Sequence, residues 1–390
     1  MIKLNTNKKK IIRKLEKVNF VGRTNPKDGD KIIFNGNELI NLSSNDYLGL
    51  SKNPILIKES RKWLEEFGTS LSSSRLISGN LDKIDTIEQL ISKFSRNDKT
   101  IIMGSGFLLN STMIPALTGN SLGQRKKTLI FSDKFNHSSI NYGCQLTKQR
   151  TFRYSHLDLN HLEYLLKKSP KNVQKIIISE TVFSMDGDLV NIKDLRFLSK
   201  KYSTILYLDE AHALGVFGDT GFGIASDKNK NDNEVIVGTF SKSFGSYGAF
   251  VSSSREIVEK ITNSCGGLIY STVLPPSTLG SINGAVKIIP KLSNMRKKIL
   301  SNSHFLINEL KKIKINTGNS SSQIVPLILG DIDKCTSLKN YLNANGFFTK
   351  VIRSPTVPLG AERIRLSLTS TMSKKVLEKL IELISRSEIL

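Results

Sequence analysis

The 390-residue chain has only three cysteines, Cys144, Cys265 and Cys335. They are odd in number, far apart and never spaced as CxxC. That excludes a secreted disulfide scaffold and a zinc module, and fits three buried or partly buried thiols in a reducing compartment. No run of about 18 apolar residues occurs, so no membrane span is expected. The basic start, MIKLNTNKKKIIRKLEK, lacks the apolar stretch and cleavage site of a secretory signal, which makes the cytoplasm the expected location. Acidic residues are scarce: 34 Asp and Glu stand against 57 Lys and Arg, a net charge of +23. The basic residues are scattered, with one tight block at Lys8, Lys9, Lys10, Arg13 and Lys14. Zinc-finger spacing and aromatic–basic RNA signatures are missing, so no nucleic-acid partner is expected. An anionic cofactor or substrate gives the charge another use.

What remains is ordinary globular composition, 38% apolar and 23% charged, long enough for one large and one small domain. Ile11, Ile12, Leu15 and Val18 recur at helical spacing, which predicts a basic amphipathic helix within residues 1–20. Asp28-Gly29-Asp30 is a turn signal, and Lys31 to Asn41 reads as a hairpin with Asn35-Gly36 at its tip. Short apolar runs then alternate with helical patterns. Strands are expected at 100–103, 128–131, 175–179, 204–208, 235–238 and 248–252, and helices at 83–94 and 191–201. Such alternation predicts an α/β domain whose largely parallel sheet is covered on both faces. The polar stretch Ser226–Glu234 reads as a surface loop. A long helical region starts near Ser277. Beyond the polar boundary Asn316–Ser322, strands at 323–329, 347–352 and 363–369 and helices at 333–344 and 374–385 make a compact α+β unit. The expected division is an N-terminal segment 1–45, a large domain 46–285 and a small domain 286–390.

In open parallel sheets, ligands bind beyond the carboxyl ends of the strands, and several polar residues fall there. Asp209 ends the apolar run TILYLDEAH, with His212 three residues on. A buried carboxylate there needs a partner: a helix cap, a metal, or a cationic ring nitrogen on a cofactor. The letters DEAH also occur in helicases, but the phosphate-binding GxxxxGK[ST] loop is missing. Lys242 sits among Thr239, Ser241 and Ser243 between two strands. It is either a solvated loop lysine or the amine that captures an aldehyde cofactor, with the hydroxyls near a phosphate. Gly104-Ser105-Gly106-Phe107 opens a helix, a plain turn or an anion cradle. His137 is a loop histidine or a stacking face. Arg363 and Arg365 alternate with Ile364, Leu366 and Leu368, so the arginines face away from the apolar side. That side is either exposed or holds a carboxylate bidentately. Together these are the parts for pyridoxal-phosphate chemistry on an amino acid.

These stretches resemble the α-oxoamine synthases, pyridoxal-phosphate enzymes of the aspartate-aminotransferase fold (fold type I). The resemblance runs from about Asn41 to the C-terminus. It is carried by NLSSNDYLGL (41–50), SGF (105–107), FNHSSI (135–140), ETVFSMDGDLVNI (180–192), LDEAHALGVFGDTGFG (208–223), GTFSKSFGSYGA (238–249) and LIYSTVLPP (268–276). The last of these, with RSPTVPLGAERIRLSLT (353–369), is most similar to the branch that condenses L-alanine with a pimeloyl thioester, on coenzyme A or acyl carrier protein. Its product, 8-amino-7-oxononanoate, leads to biotin. Another α-oxoamine synthase, such as a glycine C-acetyltransferase or an autoinducer-type condensing enzyme, is the alternative.

The resemblance implies that Lys242 carries the cofactor, Asp209 pairs with its ring nitrogen, and His137 stacks on the ring. It implies His212 and Ser184 near the ring hydroxyl, and Gly106, Phe107 and Thr239 around the phosphate. Ser271 and Thr272 are implied to reach in from the second subunit of a homodimer. Asn45 and Arg365 are implied to hold the substrate carboxylate, with Thr356 and Arg23 near the acyl substrate. One stretch departs from the family. A glycine-rich segment stands here as Gly68-Thr69-Ser70-Leu71-Ser72-Ser73-Ser74-Arg75, and a nearby histidine position holds Asp85.

Overall fold

The computed structural model describes residues 15–20, 30–119 and 127–389. Arg23 and most of the expected N-terminal helix lie outside them. The part of that helix that is described does not form. Residues 15–18 have no regular structure, and Asn19–Phe20 pairs antiparallel with Ile32 and Ile33. The exposed hairpin edge offers this short segment backbone partners, and Val18 packs against Ile32, Leu39 and Phe348.

Seven strands form the central sheet, in the order Lys99–Met103, Ala249–Ser253, Glu234–Thr239, Ile205–Asp209, Gln174–Glu180, Thr128–Asp133, Arg150–Tyr154. Ala249–Ser253 runs antiparallel to both neighbours, and the other pairings in the sheet are parallel. The six strands expected for this sheet are all present. Arg150–Tyr154 was not legible, because a polar edge strand reading RTFRY has no apolar run. Central strands are buried on both faces. Ile176 and Ile178 enter one apolar cluster with Ile130 and Tyr207, while Ile177 enters another with Leu195 and Leu206. Each such side chain contributes about 1.5–3 kcal/mol by leaving water. Glu234 opens a strand rather than closing the expected loop. It is buried and holds Arg196, from helix Ile192–Lys201, at 2.7 Å.

The parallel arrangement brings the ends of neighbouring strands to one edge, so Asp133, Glu180, Asp209 and Thr239 share a rim. On that rim the His156 ring lies between Asp133 (3.0 Å) and Asp188 (2.9 Å). Burial opposes its charge, but hydrogen bonds to both carboxylates raise its pKa to about 9. Phe135 stacks on this imidazolium at 4.4 Å, which fixes the segment leading into His137.

The C-terminal unit is built around Ile324–Ile328, which pairs antiparallel with Arg363–Ser367; that strand in turn pairs with Val351–Ile352. The expected single strand at 347–352 is divided: Phe347–Phe348 instead runs parallel to Asn37–Asn41 of the N-terminal hairpin. The hairpin tip is as expected, with Asn35 and Gly36 both at positive φ. Helix Lys374–Ser385 covers this core through Leu377, Leu380 and Ile384.

The large sheet and the C-terminal unit meet along a polar seam. Arg363 pairs with Asp186 at 2.6 Å, Ser321 N–H donates to the Gly187 carbonyl, and Gln323 Nε2 donates to the His212 carbonyl. Gly187 has φ +70°, and a Cβ on it would stand 2.1 Å from the Ile324 carbonyl oxygen. Gly187→Ala is therefore expected to lose roughly 3 kcal/mol or more in urea unfolding, from backbone strain and a clash that cannot relax. Gly346→Ala, at φ +94° with nothing within 4 Å, is the control and should lose only about 1–2 kcal/mol. Equal losses would mean that the seam is not tightly packed.

Candidate active site

A cavity of about 330 Å³ opens beyond the carboxyl ends of the parallel strands. It gathers residues from distant parts of the chain: Asn45, Gly106, Phe107, His137, Asp209, His212, Thr239 and Lys242 all line it. Strand Ile205–Asp209 delivers Asp209 and the following turn delivers His212. Strand Glu234–Thr239 delivers Thr239, and its loop delivers Lys242. His137 caps helix Ser138–Leu146, and Ser105 caps helix Gly106–Leu117 by accepting from Leu108 N–H.

The electrostatics follow from placing these groups away from water. Asp209 is buried, and its carboxylate accepts from Asn110 Nδ2 at 2.8 Å and from Ala211 N–H at 2.9 Å. A carboxylate has about four acceptor positions, so capacity remains toward the cavity. Lys242 Nζ lies 2.7 Å from His212 Nε2. Burial lowers the Lys242 pKa to about 8, although Asp209 pulls it upward. Burial also pushes His212 well below its ordinary value, with Lys242 and Arg365 acting in the same direction, so its ring is neutral. His137 is likewise lowered by burial, against the attraction of Asp209. A neutral imidazole suits a stacking face.

The remaining expected residues have different surroundings. Arg365 is buried, which removes the exposed-face alternative. Its guanidinium donates to the Ser184 carbonyl, to Ser367 Oγ at 2.7 Å, and twice to Asn45 Oδ1 at 3.2 Å. Ser184 is buried and meets Arg365 through its backbone. Ser271 and Thr272 line a separate small cavity with Arg75, and Thr272 bridges Ser74. Thr356 lies in an exposed loop, away from the lining of the main cavity. The three cysteines are free and buried.

Three residues at this site escaped sequence reasoning. Glu180 ends strand Gln174–Glu180, pairs in register with Asp209, and accepts from His137 N–H at 2.5 Å. Burial, reinforced by Asp209, raises it to about 8, so it is protonated at neutral pH. The run KIIISE carried the same signal as ILYLD, an apolar strand ending in a carboxylate. Asn110, which orients Asp209, is a polar side chain inside the apolar helix sequence GFLLNSTM. Tyr47 is fully buried, with its hydroxyl 2.7 Å from His212 Nδ1. Its sole sequence signal was its place in NDYLGL.

This donor set fits pyridoxal 5′-phosphate. First-turn N–H groups of helix Gly106–Leu117 have no partners within the helix, and the Thr239 and Ser241 hydroxyls stand nearby, which suits a phosphate. A Cβ on Gly106 would lie 3.6 Å from the Thr239 Cβ and fill that cradle. Asp209 has acceptor capacity for a protonated ring nitrogen, and Lys242 offers an amine to an aldehyde. Among the described residues no helix is long and apolar enough to cross a membrane, and no His, Cys, Asp and Glu cluster could hold a metal.

Comparison with known proteins agrees with this geometry. The family model for class I and II aminotransferases matches residues 37–384. A protein of Gluconacetobacter diazotrophicus named 8-amino-7-oxononanoate synthase is 37% identical over 91% of this chain and 89% of its own length. A relative from Paramagnetospirillum magneticum, which carries that name provisionally, is 40% identical over 91% of this chain and 90% of its own. Among solved structures, a serine palmitoyltransferase with PLP superposes with a TM-score of 0.87 at 26% identity, covering 95% of this chain and 91% of that one. The 8-amino-7-oxononanoate synthase of Francisella tularensis superposes with a TM-score of 0.77 at 25% identity, covering 89% and 97%. The chain belongs to the class I and II aminotransferase family and, within it, to the α-oxoamine synthases, acyltransferases that depend on pyridoxal phosphate.

Proposed function

We propose that the chain condenses L-alanine with a pimeloyl thioester to give 8-amino-7-oxononanoate, releasing carbon dioxide and a free thiol. The observation that carries this reading is the meeting of Lys242, Asp209 and His137 on one cavity, with Arg365 and Asn45 at its side. The names and identities of the sequence relatives support the choice of substrates.

Bound pyridoxal phosphate supplies an electron sink for the carbanion formed at the amino acid's Cα. Asp209 would keep the ring nitrogen protonated, and His137 would cover one ring face. The cradle at Gly106, Phe107 and Thr239 would hold the phosphate. Arg365 would bind the amino-acid carboxylate: its two contacts to Asn45 are long and can be exchanged for stronger charge-assisted ones. Lys242 Nζ would take the Cα proton and later return one, which requires an amine that is neutral near working pH. Burial achieves that by lowering its pKa to about 8. A new C–C bond forms as the thiolate leaves, and the C–C bond to the carboxylate then breaks. Holding both substrates in one cleft contributes as much as acid–base strength.

The same machinery acts on other pairs in this family, and the serine palmitoyltransferase superposes with a higher TM-score than the Francisella enzyme. A second reading therefore keeps the chemistry and changes the amino acid or acyl chain. We also read the chain as a homodimer. Leu76, Ile77 and Tyr270 are 51%, 83% and 80% exposed, and their two segments are joined by the Ser74–Thr272 bridge. An apolar patch of this kind needs a cover, and Ser271 and Thr272 sit within it.

A panel of amino acids against acyl thioesters should give fastest thiol release with L-alanine and pimeloyl thioester. A clear preference for serine with a long acyl chain would overturn the substrate assignment. Lys242→Ala should lose turnover and the absorbance of the covalently attached cofactor. In the wild-type apoprotein, the rate of cofactor capture should rise about tenfold per pH unit and level off above about pH 8, because only the neutral amine attacks. Continued rise toward the usual lysine range would contradict the lowered pKa. Ile77→Lys should shift sedimentation toward a monomer.

A further inference from the structure

His212 touches Lys242 with one ring nitrogen and Tyr47 with the other, each at 2.7 Å. The ring is buried and neutral, so it carries one N–H, and the position of that hydrogen decides what Lys242 faces. The Tyr47 hydroxyl has one hydrogen and two acceptor sites. Arg365 has donors only and gives one of them to Tyr47 Oη at 3.3 Å, filling one acceptor site. The same hydroxyl donates to Asn45 Oδ1 at 3.2 Å, an oxygen that also receives the two long Arg365 contacts.

Two arrangements of this chain are possible. In the first, His212 Nδ1–H donates to Tyr47, Tyr47 donates to Asn45, and the bare Nε2 accepts from Lys242. Both ring nitrogens and the Tyr47 hydroxyl then have partners, whether Lys242 is an ammonium or an amine, because both carry N–H groups. In the second, His212 Nε2–H points at Lys242. Against an ammonium this sets N–H against N–H at 2.7 Å. Against an amine it occupies the single lone pair that the lysine needs for attack. Asp209 also faces Lys242 and favours its charged form, which worsens the second arrangement. His137, the other imidazole on this cavity, hydrogen-bonds Ser139 and makes no contact with this chain of bonds.

We propose that Tyr47, backed by Asn45 and Arg365, is a positioning residue that holds His212 as the Nδ1–H tautomer and so leaves the Lys242 lone pair free. Tyr47→Phe removes the acceptor at Nδ1. The buried ring then moves its hydrogen to Nε2, where Lys242 is the available partner. The inference rests on the reading of Lys242 as the reacting amine, but its first test does not.

That test uses the full-length chain freed of cofactor and labelled with ¹⁵N-histidine. The protein has five histidines, so a long-range ¹H–¹⁵N correlation spectrum is simple to assign, with His212→Asn removing one ring system. The wild type should show His212 with Nδ1 protonated and Nε2 bare, and Tyr47→Phe should reverse the two. Cofactor capture by Tyr47→Phe near pH 8 should slow about tenfold or more, with thermal unfolding of the apoprotein little changed. A wild-type Nε2–H tautomer overturns the proposal without any variant, which keeps it testable if Tyr47→Phe fails to fold. A folded variant that keeps the Nδ1–H tautomer overturns it as well. Loss of cofactor capture in Lys242→Ala is a separate result: if that variant still captured cofactor covalently, the reading of Lys242 would fail and the tautomer result would stand.

Discussion

Lys242 and Asp209 bring opposite charges to the carboxyl end of one sheet. An amine in that position is held by two opposed effects. Burial drives it toward neutrality, while the Asp209 carboxylate draws it back toward the ammonium. The compromise near pH 8 leaves a usable fraction of lone pair at neutral pH. The other features of the cavity serve that balance. Glu180 is pushed up by burial and by Asp209, so one negative charge rather than two faces the lysine. The neutral rings of His212 and His137 avoid adding positive charge beside it.

The surrounding protein makes this arrangement rigid. Asp209 is oriented by Asn110, whose Oδ1 in turn accepts from the Tyr207 hydroxyl at 2.5 Å. His137 is fixed from three sides, by its cap on the following helix, by Glu180, and by the stack of Phe135 on the charged His156. Along the seam, Arg363, Arg365 and Gln323 bind backbone or side-chain atoms of the large unit, so the C-terminal strands form a wall of the site. Close packing at Gly187 holds that wall against the 183–188 turn. A site assembled from both units is sensitive to substitutions far from the reacting atoms, because small misplacement costs rate steeply.

Similarity and geometry place this chain in one family while leaving its substrates to a narrower set of residues. Two relatives named for 8-amino-7-oxononanoate synthesis share 40% and 37% of its sequence, each across 91% of the chain. Segment 68–75, where the sequence reading expected a departure from the family, is held by Arg75. There Arg75 is tied to Glu88 and to Asn80, which anchors the segment against strand Lys99–Met103 through the Ile102 carbonyl. That segment is thus a fixed part of the fold.

The sequence by itself determined the local pieces. Apolar runs with β-branched residues read as parallel strands, the 3.6-residue periodicity read as helices, and the stretches around Asp209 and Lys242 carried the family resemblance. Helix 374–385 was legible to its ends because its period and flanking residues agreed. Tertiary structure alone decided what those pieces face. Glu180 and Asp209 are neighbours because parallel strands align their ends, although 28 residues of chain separate them. Arg363 and Arg365 are buried because the 183–188 turn covers a strand face whose alternation left exposure open. Asn19–Phe20 became a strand because a hairpin edge was free to pair with it. Tyr47 looked like one aromatic among many until folding set its hydroxyl between a guanidinium and an imidazole. Periodicity records which side of an element is apolar, whereas the partner on the other side is chosen by contacts between residues far apart in the chain.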